Sequence, residues 1–387
     1  MPAPELALHD ADVLGPYAAS GPVGPDVREL VAEMPKAELH LHLDGSLRID
    51  TALELARTRR IEAPRTRAGM VGALVAPPRC TDQADLLRGF DLPIALMQDA
   101  EALERIAAEL VEDKAADGVR YLEIRWGPLL HVSRGLTLDD GITAVVRGAN
   151  EAAVRAGIAV RFICTALRSH DPVANIGLAE AAARSLDQGL TGWDLAGPEA
   201  QFPDPLTHGP AFEAARAGGL RITLHAGEWG GAAQVRRALV MEPERIAHGP
   251  GAADDPQLMV ELRARGVVLD LCPSSNVQAA IVPTVAAHPL AHLHRAGVRV
   301  TLSTDDTTVA NLTLSEEYIR ALERIGLSLE ELWAIDRLAL DVAFADEATV
   351  VPIRREFEDW AKASAVPFAA NTTREALRSD DTREANA

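Results

Sequence analysis

From Val119 onward the chain repeats one rhythm: a short apolar run, a turn, a helical stretch, then another short apolar run. The runs Val119–Arg125, Val160–Ala166, Leu190–Leu195, Leu220–His225, Arg245–His248, Val267–Cys272 and Val298–Ser303 read as strands. The segments Asp139–Ala156, Val173–Gln188, Ala211–Ala217, Ala232–Leu239, Pro256–Arg265 and Pro289–Ala296 between them read as helices. Lys36–Ser46 supplies one more strand upstream. Such alternation means a parallel sheet covered by helices. Eight units of it predict an α/β fold, a (β/α)8 TIM barrel, over an open doubly wound sheet. No Gly-x-Gly-x-x-Gly opens the first helix, which counts against a dinucleotide-binding fold.

The rest of the chain is arranged around that repeat. Residues 1–30 are rich in Ala, Pro and Gly and are expected to be a loose arm, with one helical turn at Val27–Glu33. Residues 31–366 are expected to form a single domain, and the polar stretch 367–387 a frayed tail. Ser46–Arg59 has helical spacing, 60–80 is broken by Pro and Gly, and Ala84–Ala115 reads as two or three helices interrupted at Asp91-Leu92-Pro93. This is a helical insertion after the first strand, placed to wall a pocket. Leu314–Ile325, Ser328–Phe344 and Val351–Ser364 add C-terminal helices outside the barrel.

Charge and cysteine content narrow the setting. A net charge of −19 argues against a nucleic-acid-binding surface. No run of about 18 apolar residues predicts a membrane span, and Met1–Leu14 has no secretory pattern. Cys80, Cys164 and Cys272 are far apart and predict buried free thiols in a reducing compartment, so a cytoplasmic location is expected.

The polar exceptions collect at the predicted C-terminal ends of strands. They are His40-x-His42, Thr223-Leu224-His225-Ala226-Gly227-Glu228, Arg245-Ile246-Ala247-His248-Gly249 and Thr301-Leu302-Ser303-Thr304-Asp305-Asp306. In a barrel these ends share one rim, where active sites form. His40 and His42 at i and i+2 of a strand point the same way. Four histidines and two aspartates on one rim are costly to desolvate without a metal or substrate. Imidazoles with a carboxylate and no thiolate suit Zn2+ best, with Fe2+, Co2+ and Mn2+ open.

These stretches resemble the motifs of the adenosine deaminase family, in order. Met34-Pro35-Lys36-Ala37-Glu38-Leu39-His40-Leu41-His42-Leu43-Asp44-Gly45-Ser46 is similar to its opening motif. Leu224–Glu228, Arg245–Gly249, Cys272-Pro273-Ser274-Ser275-Asn276 and Ser303–Asp306 resemble its later ones, as do Glu112–Arg125 and Trp193–Gly197. The likeness runs over residues 30 to 345.

The resemblance implies one catalytic Zn2+ per chain, held by His40, His42, His225 and Asp305. It implies three catalytic groups. Glu228 would protonate ring N1 of a purine, His248 would act as base or electrostatic orienter of the attacking water, and Asp306 would align that water and accept from substrate. It further implies substrate contacts at His42, Asp44, Gly197 and Asp306, with Asp44 on a ribose hydroxyl and Gly197 offering a backbone N–H where no side chain blocks approach. The blander roles are a turn residue for Asp44, a tight turn for Gly197 and a helix cap for Asp306. Arg125 and Arg168 are expected to be ion-paired supports. Phe90 reads equally as a pocket wall or as core, and His131, His170, His208, His288, His292 and His294 fit no motif.

The expected activity is zinc-dependent hydrolytic deamination of adenosine or 2′-deoxyadenosine to inosine or 2′-deoxyinosine and ammonia. Two loops depart from the commoner family pattern, Thr307–Asn311 and Val277–Ala280, and leave the substrate open. The alternatives are a modified 6-aminopurine nucleoside such as aminodeoxyfutalosine, or adenine itself. A remoter one is another single-domain metal-dependent amidohydrolase; two-metal members often need a bridging Lys, and no Lys falls at a predicted strand end. A non-catalytic binding module would not keep Glu228, His248 and Asp306 together. A small-molecule purine nucleoside is thus the expected partner, with no nucleic acid and no membrane.

Overall fold

A computed structural model describes residues 21–364 of the chain. The expected polar tail and the first twenty residues of the expected arm lie outside the described residues. Eight strands run in sequence order: β1 (Lys36–His42), β2 (Val119–Trp126), β3 (Ala159–Leu167), β4 (Leu190–Ala196), β5 (Arg221–Ala226), β6 (Arg245–His248), β7 (Val268–Leu271) and β8 (Arg299–Leu302). Neighbours pair in parallel all the way round. Closure is made just past β8. The His42 N–H donates to the Asp305 carbonyl at 2.7 Å, and the Asp305 N–H donates to the His40 carbonyl at 3.1 Å. The fold is a (β/α)8 TIM barrel whose closing seam carries two of the rim histidines and an aspartate.

The barrel interior holds charge as well as apolar side chains. Arg245 pairs with Glu123 and lies 3.1 Å from Asp270, while Arg125 lies 3.4 Å from Asp194 and 3.7 Å from Asp270. All five are buried, and the Tyr121 hydroxyl donates to Glu123 at 2.8 Å. Such ions tolerate burial only when each is paired and hydrogen-bonded. Here each charge faces an opposite one across the barrel.

The outer helices follow the expected alternation, with instructive differences. Residues 60–80 are not patternless. Arg67–Leu74 is a helix capped by Thr66, whose hydroxyl accepts from the Gly69 N–H at 3.1 Å. The insertion breaks at 97–99 rather than at Asp91-Leu92-Pro93. Asp91 opens the helix Asp91–Leu96, and Pro93 sits in its first turn, where a missing N–H costs nothing. Leu314–Ile325 is helical in extent, but Ala321–Ile325 winds as a π turn. The single turn expected at Val27–Glu33 is a nine-residue helix, Pro25–Glu33, and Val23 before it and Arg28 within it bond to Glu323. Among the described residues no helix is long and apolar enough to cross a membrane.

Candidate active site

The strand ends deliver their polar groups to one point. The Nε2 atoms of His40 and His42 are 3.2 Å apart, and those of His42 and His225 are also 3.2 Å apart. Asp305 Oδ1 is 3.0 Å from His40 Nε2 and 3.3 Å from His42 Nε2. A tetrahedral zinc with bonds of about 2.0–2.1 Å has ligand–ligand edges of about 3.3 Å. Four of the six donor–donor edges thus have the spacing of a coordination shell. Burial pushes the His40 imidazole well below its ordinary pKa and that of His42 down to about 4, so both rings are neutral near pH 7. Facing neutral nitrogens beside a carboxylate fit a cation between them.

Outer contacts aim these donors. His225 donates its Nδ1–H to Asp194 Oδ1 at 3.0 Å, which leaves Nε2 bare. Burial alone would raise the Asp194 carboxyl, but the charges of His225 and Arg125 hold it far below the usual range. Asp305 Oδ2 accepts from the Ser275 hydroxyl at 2.6 Å, and Ser275 lies in the helix Pro273–Gln278. Asp305 and His248 both have left-handed backbones, with φ of 69° and 68°. Strain of this kind costs about 1–3 kcal/mol and persists where surrounding structure enforces it.

His248 stands beside this cluster. Its Nε2 is 3.7 Å from Asp305 Oδ2 and 3.7 Å from Glu228 Oε1. A looser set, His40, His225, His248 and Asp305, keeps its donor atoms within 4.8 Å. His42 lies closer to its neighbours, 3.2 Å from His40 and from His225 and 3.3 Å from Asp305, and its ring also borders the open pocket.

Glu228 sits in the turn after β5, held by a residue the sequence reading missed. Glu199 accepts from the backbone N–H groups of Gly227 at 2.7 Å, Trp229 at 2.9 Å and Gly230 at 3.0 Å. Burial, then the negative charges of Asp305, Glu199 and Asp306, push the Glu228 carboxyl well above its ordinary value. It holds a proton where an exposed glutamate would not. Asp306 is likewise pushed up by burial and by Asp305 and Asp44, and its Oδ1 has no hydrogen-bond partner. Gly45 makes room for it, since a Cβ there would lie 1.8 Å from that oxygen.

Asp44 is not merely a turn residue. His131 bonds its Oδ1 at 2.5 Å and the Gly127 N–H donates to Oδ2 at 3.1 Å. Burial opposes ionisation, but His131 outweighs it and the carboxyl is lowered. His131 fitted no motif, yet it is buried against a pocket residue. Gly197 has φ of 101°, so its backbone demands glycine, and a Cβ there would meet no protein atom closer than 3.7 Å. Arg168, expected to be ion-paired, makes no ion pair among the described residues: its NH2 and NH1 groups donate to the carbonyls of His225 and Phe202 at 2.9 and 3.0 Å.

A pocket of about 320 Å³ opens onto these groups. Phe90, from the insertion, and Trp229 are part of its wall. The divergent loops do not border it. Ala279 and Val309 pack in a small apolar cluster behind Phe90 and Trp229, and the Ala76 and Cys80 N–H groups donate to the Val309 and Gln278 carbonyls. Among the described residues, the acidic side chains bordering the pocket are Asp44, Glu228, Asp305 and Asp306, and no Lys or Arg borders it.

Comparison with known proteins agrees with this geometry. The adenosine deaminase family profile matches residues 35–360. An adenosine deaminase of Vibrio vulnificus is 37% identical over 319 residues, covering 82% of this chain and 96% of that protein. Among solved structures, a zinc-bound amidohydrolase of Burkholderia ambifaria superposes with a TM-score of 0.81 at 27% identity, over 90% of this chain and 98% of that one. An adenine deaminase of Arthrobacter aurescens gives 0.79 at 26% identity, over 85% and 99%. The N6-methyl-AMP deaminase of Arabidopsis thaliana gives 0.77 at 29%, over 87% and 99%. Motif order, barrel, donor cluster and matched length together make this chain a hydrolase of carbon–nitrogen bonds that belongs to the adenosine deaminase family.

Proposed function

We propose that this chain hydrolyses the 6-amino group of a neutral purine nucleoside, adenosine or 2′-deoxyadenosine, giving inosine or 2′-deoxyinosine and ammonia. The observation that carries the reading is a buried Glu228, its carboxyl pushed well above the ordinary value by burial, 3.7 Å from His248 beside the donor cluster in one small pocket. His40, His42, His225 and Asp305 would hold one Zn2+, which when bound makes water a nucleophile near neutral pH.

The chain's own groups do the rest. Glu228 donates its proton to ring N1, so that C6 becomes electrophilic. His248 orients the incoming oxygen from the side of the donor cluster. Asp306, with its unpartnered Oδ1, accepts from the adding water and the departing amine. Of the water's two protons, one passes by way of Asp306 to the departing amine, which leaves as ammonia, and the other replaces the proton that Glu228 gave to N1, so Glu228 is restored at the end of each turnover. Each proton-transfer role is worth about 10²- to 10⁴-fold. Gly197 lies at the turn after β4 where the purine edge would rest, and Asp44 accepts from a ribose hydroxyl beside His42.

Charge separates the substrate classes. An acidic pocket lining, with no Lys or Arg among the described residues that border it, favours a neutral 5′ end over a 5′-phosphate. Asp44, deprotonated and braced by His131, favours a sugar over free adenine. Three free, buried cysteines fit a reducing, cytoplasmic setting. Ammonia release across adenosine, 2′-deoxyadenosine, a 5′-extended adenosine, AMP and adenine tests the reading. The nucleosides should exceed AMP and adenine in kcat/KM by at least about tenfold. Preference for AMP, or turnover of adenine alone, overturns it.

A further inference from the structure

Three buried side chains behind His248 form a chain of hydrogen bonds whose direction is decided at one end. The Leu290 backbone N–H donates to His288 Nδ1 at 3.2 Å. A main-chain N–H can only donate, so His288 Nδ1 is bare. Burial pushes the His288 imidazole down to about 3, so the ring is neutral and its one proton sits on Nε2. That nitrogen is 3.1 Å from Asn276 Oδ1. The Asn276 amide therefore turns its Nδ2 toward His248 Nδ1, at 3.1 Å. An amide nitrogen also only donates. His248 must accept at Nδ1 and carry its own proton on Nε2. All three residues are at most 1% exposed, so water does not compete for these bonds.

We infer that Asn276 and His288 are positioning residues that lock His248 in the tautomer protonated at Nε2. The consequence rests on the deaminase reading given above. With Nε2 occupied by hydrogen, His248 is excluded from the ligand set in favour of His42. It also meets the incoming oxygen as a hydrogen-bond donor and not as its base. The 3.7 Å distances from His248 Nε2 to Asp305 and Glu228 are too long for hydrogen bonds, so neither carboxyl takes the Nε2–H. Neither Asn276 nor His288 touches substrate, and neither stands near His248 in the sequence.

The test is the ring 15N–1H correlation spectrum of His248 in the full chain, with and without one equivalent of zinc. It is paired with kinetics of Asn276→Asp, His288→Leu and His288→Gln. In the parent protein Nε2 should be protonated and Nδ1 bare, in both states. Asn276→Asp presents an acceptor to Nδ1 and should move the proton there. His288→Leu should give a mixture, while His288→Gln, whose amide can donate to Asn276, should restore the parent tautomer. kcat should fall about 10²- to 10⁴-fold in Asn276→Asp, with KM changed less than about threefold and one zinc retained. Glutamine at 288 should recover most of what leucine loses. A parent spectrum with Nδ1 protonated, or variants that leave the tautomer unchanged, overturns the inference. So does a swapped tautomer with full kcat. The spectrum needs no substrate, so failure of the deaminase reading would leave it standing.

Discussion

Glu199 offers the sharpest perturbation, because one carboxylate holds three backbone N–H groups around Glu228. In Glu199→Gln one oxygen remains. Turned toward Trp229 and Gly230, it leaves an amide that can only donate facing the Gly227 N–H. One charge-assisted bond is lost and two become neutral. Such bonds contribute about 1.5–3 kcal/mol when charged and about 1 kcal/mol when neutral. Relief of burying the Glu199 charge offsets part of the loss, so the net cost should be about 2–4 kcal/mol in urea unfolding. The charge also matters to Glu228. After burial itself and Asp305, Glu199 is the next influence raising that carboxyl. Glu228 acts as an acid, so activity is present while it is protonated and is lost as pH rises through its raised pKa. Removing the Glu199 charge lowers that pKa and should move the alkaline limb of kcat to lower pH. A displaced Glu228 should also reduce kcat by about 10²-fold. Unchanged stability together with an unmoved alkaline limb would refute the reasoning.

Other outcomes follow from the same contacts. Gly45→Ala puts a Cβ 1.8 Å from Asp306 Oδ1 and 2.4 Å from its Cγ; it should cost about 1–3 kcal/mol and lower kcat by at least about tenfold, and a fully active, fully stable variant contradicts that. Asp44→Ala should raise KM for adenosine by about 10- to 100-fold, the worth of a hydrogen bond to a charged group, with kcat changed far less. His131→Gln, which keeps one donor toward Asp44, should raise it by less than Asp44→Ala does. Chelation should abolish turnover and lower the thermal midpoint, and one zinc per chain should restore both; a requirement for two would favour a two-metal hydrolase.

The barrel was legible because its rhythm is local. β6 and the helix Pro256–Arg265 fall where the apolar pattern and the Pro and Gly punctuation put them. Helix Arg67–Leu74 was not, since Pro64, Gly69 and Gly72 hide a helix that Thr66 caps and the pocket wall packs against. The interior ions were hidden for another reason. Glu123, Arg125, Arg245 and Asp270 interrupt apolar strands, and only closure of the sheet shows that they pair with each other. The donor cluster was visible because strand ends carry it in recognisable motifs. Its supports were not. Glu199 works on main-chain N–H groups, His131 through Asp44, and His288 through Asn276. None of these contacts leaves a spacing in the sequence. From the divergent loops, Ala279 and Val309 pack against Phe90 and Trp229, a contact that no sequence spacing shows.

The most direct measurement of the central claim is kcat/KM for adenosine with one zinc per chain, in the parent protein and in Glu228→Gln. The account expects inosine and ammonia in equal amounts from the parent. It expects a loss of about 10²- to 10⁴-fold in the variant, with zinc still bound and the fold intact. A parent protein that releases no ammonia from adenosine, or a Glu228→Gln variant as fast as the parent, contradicts it.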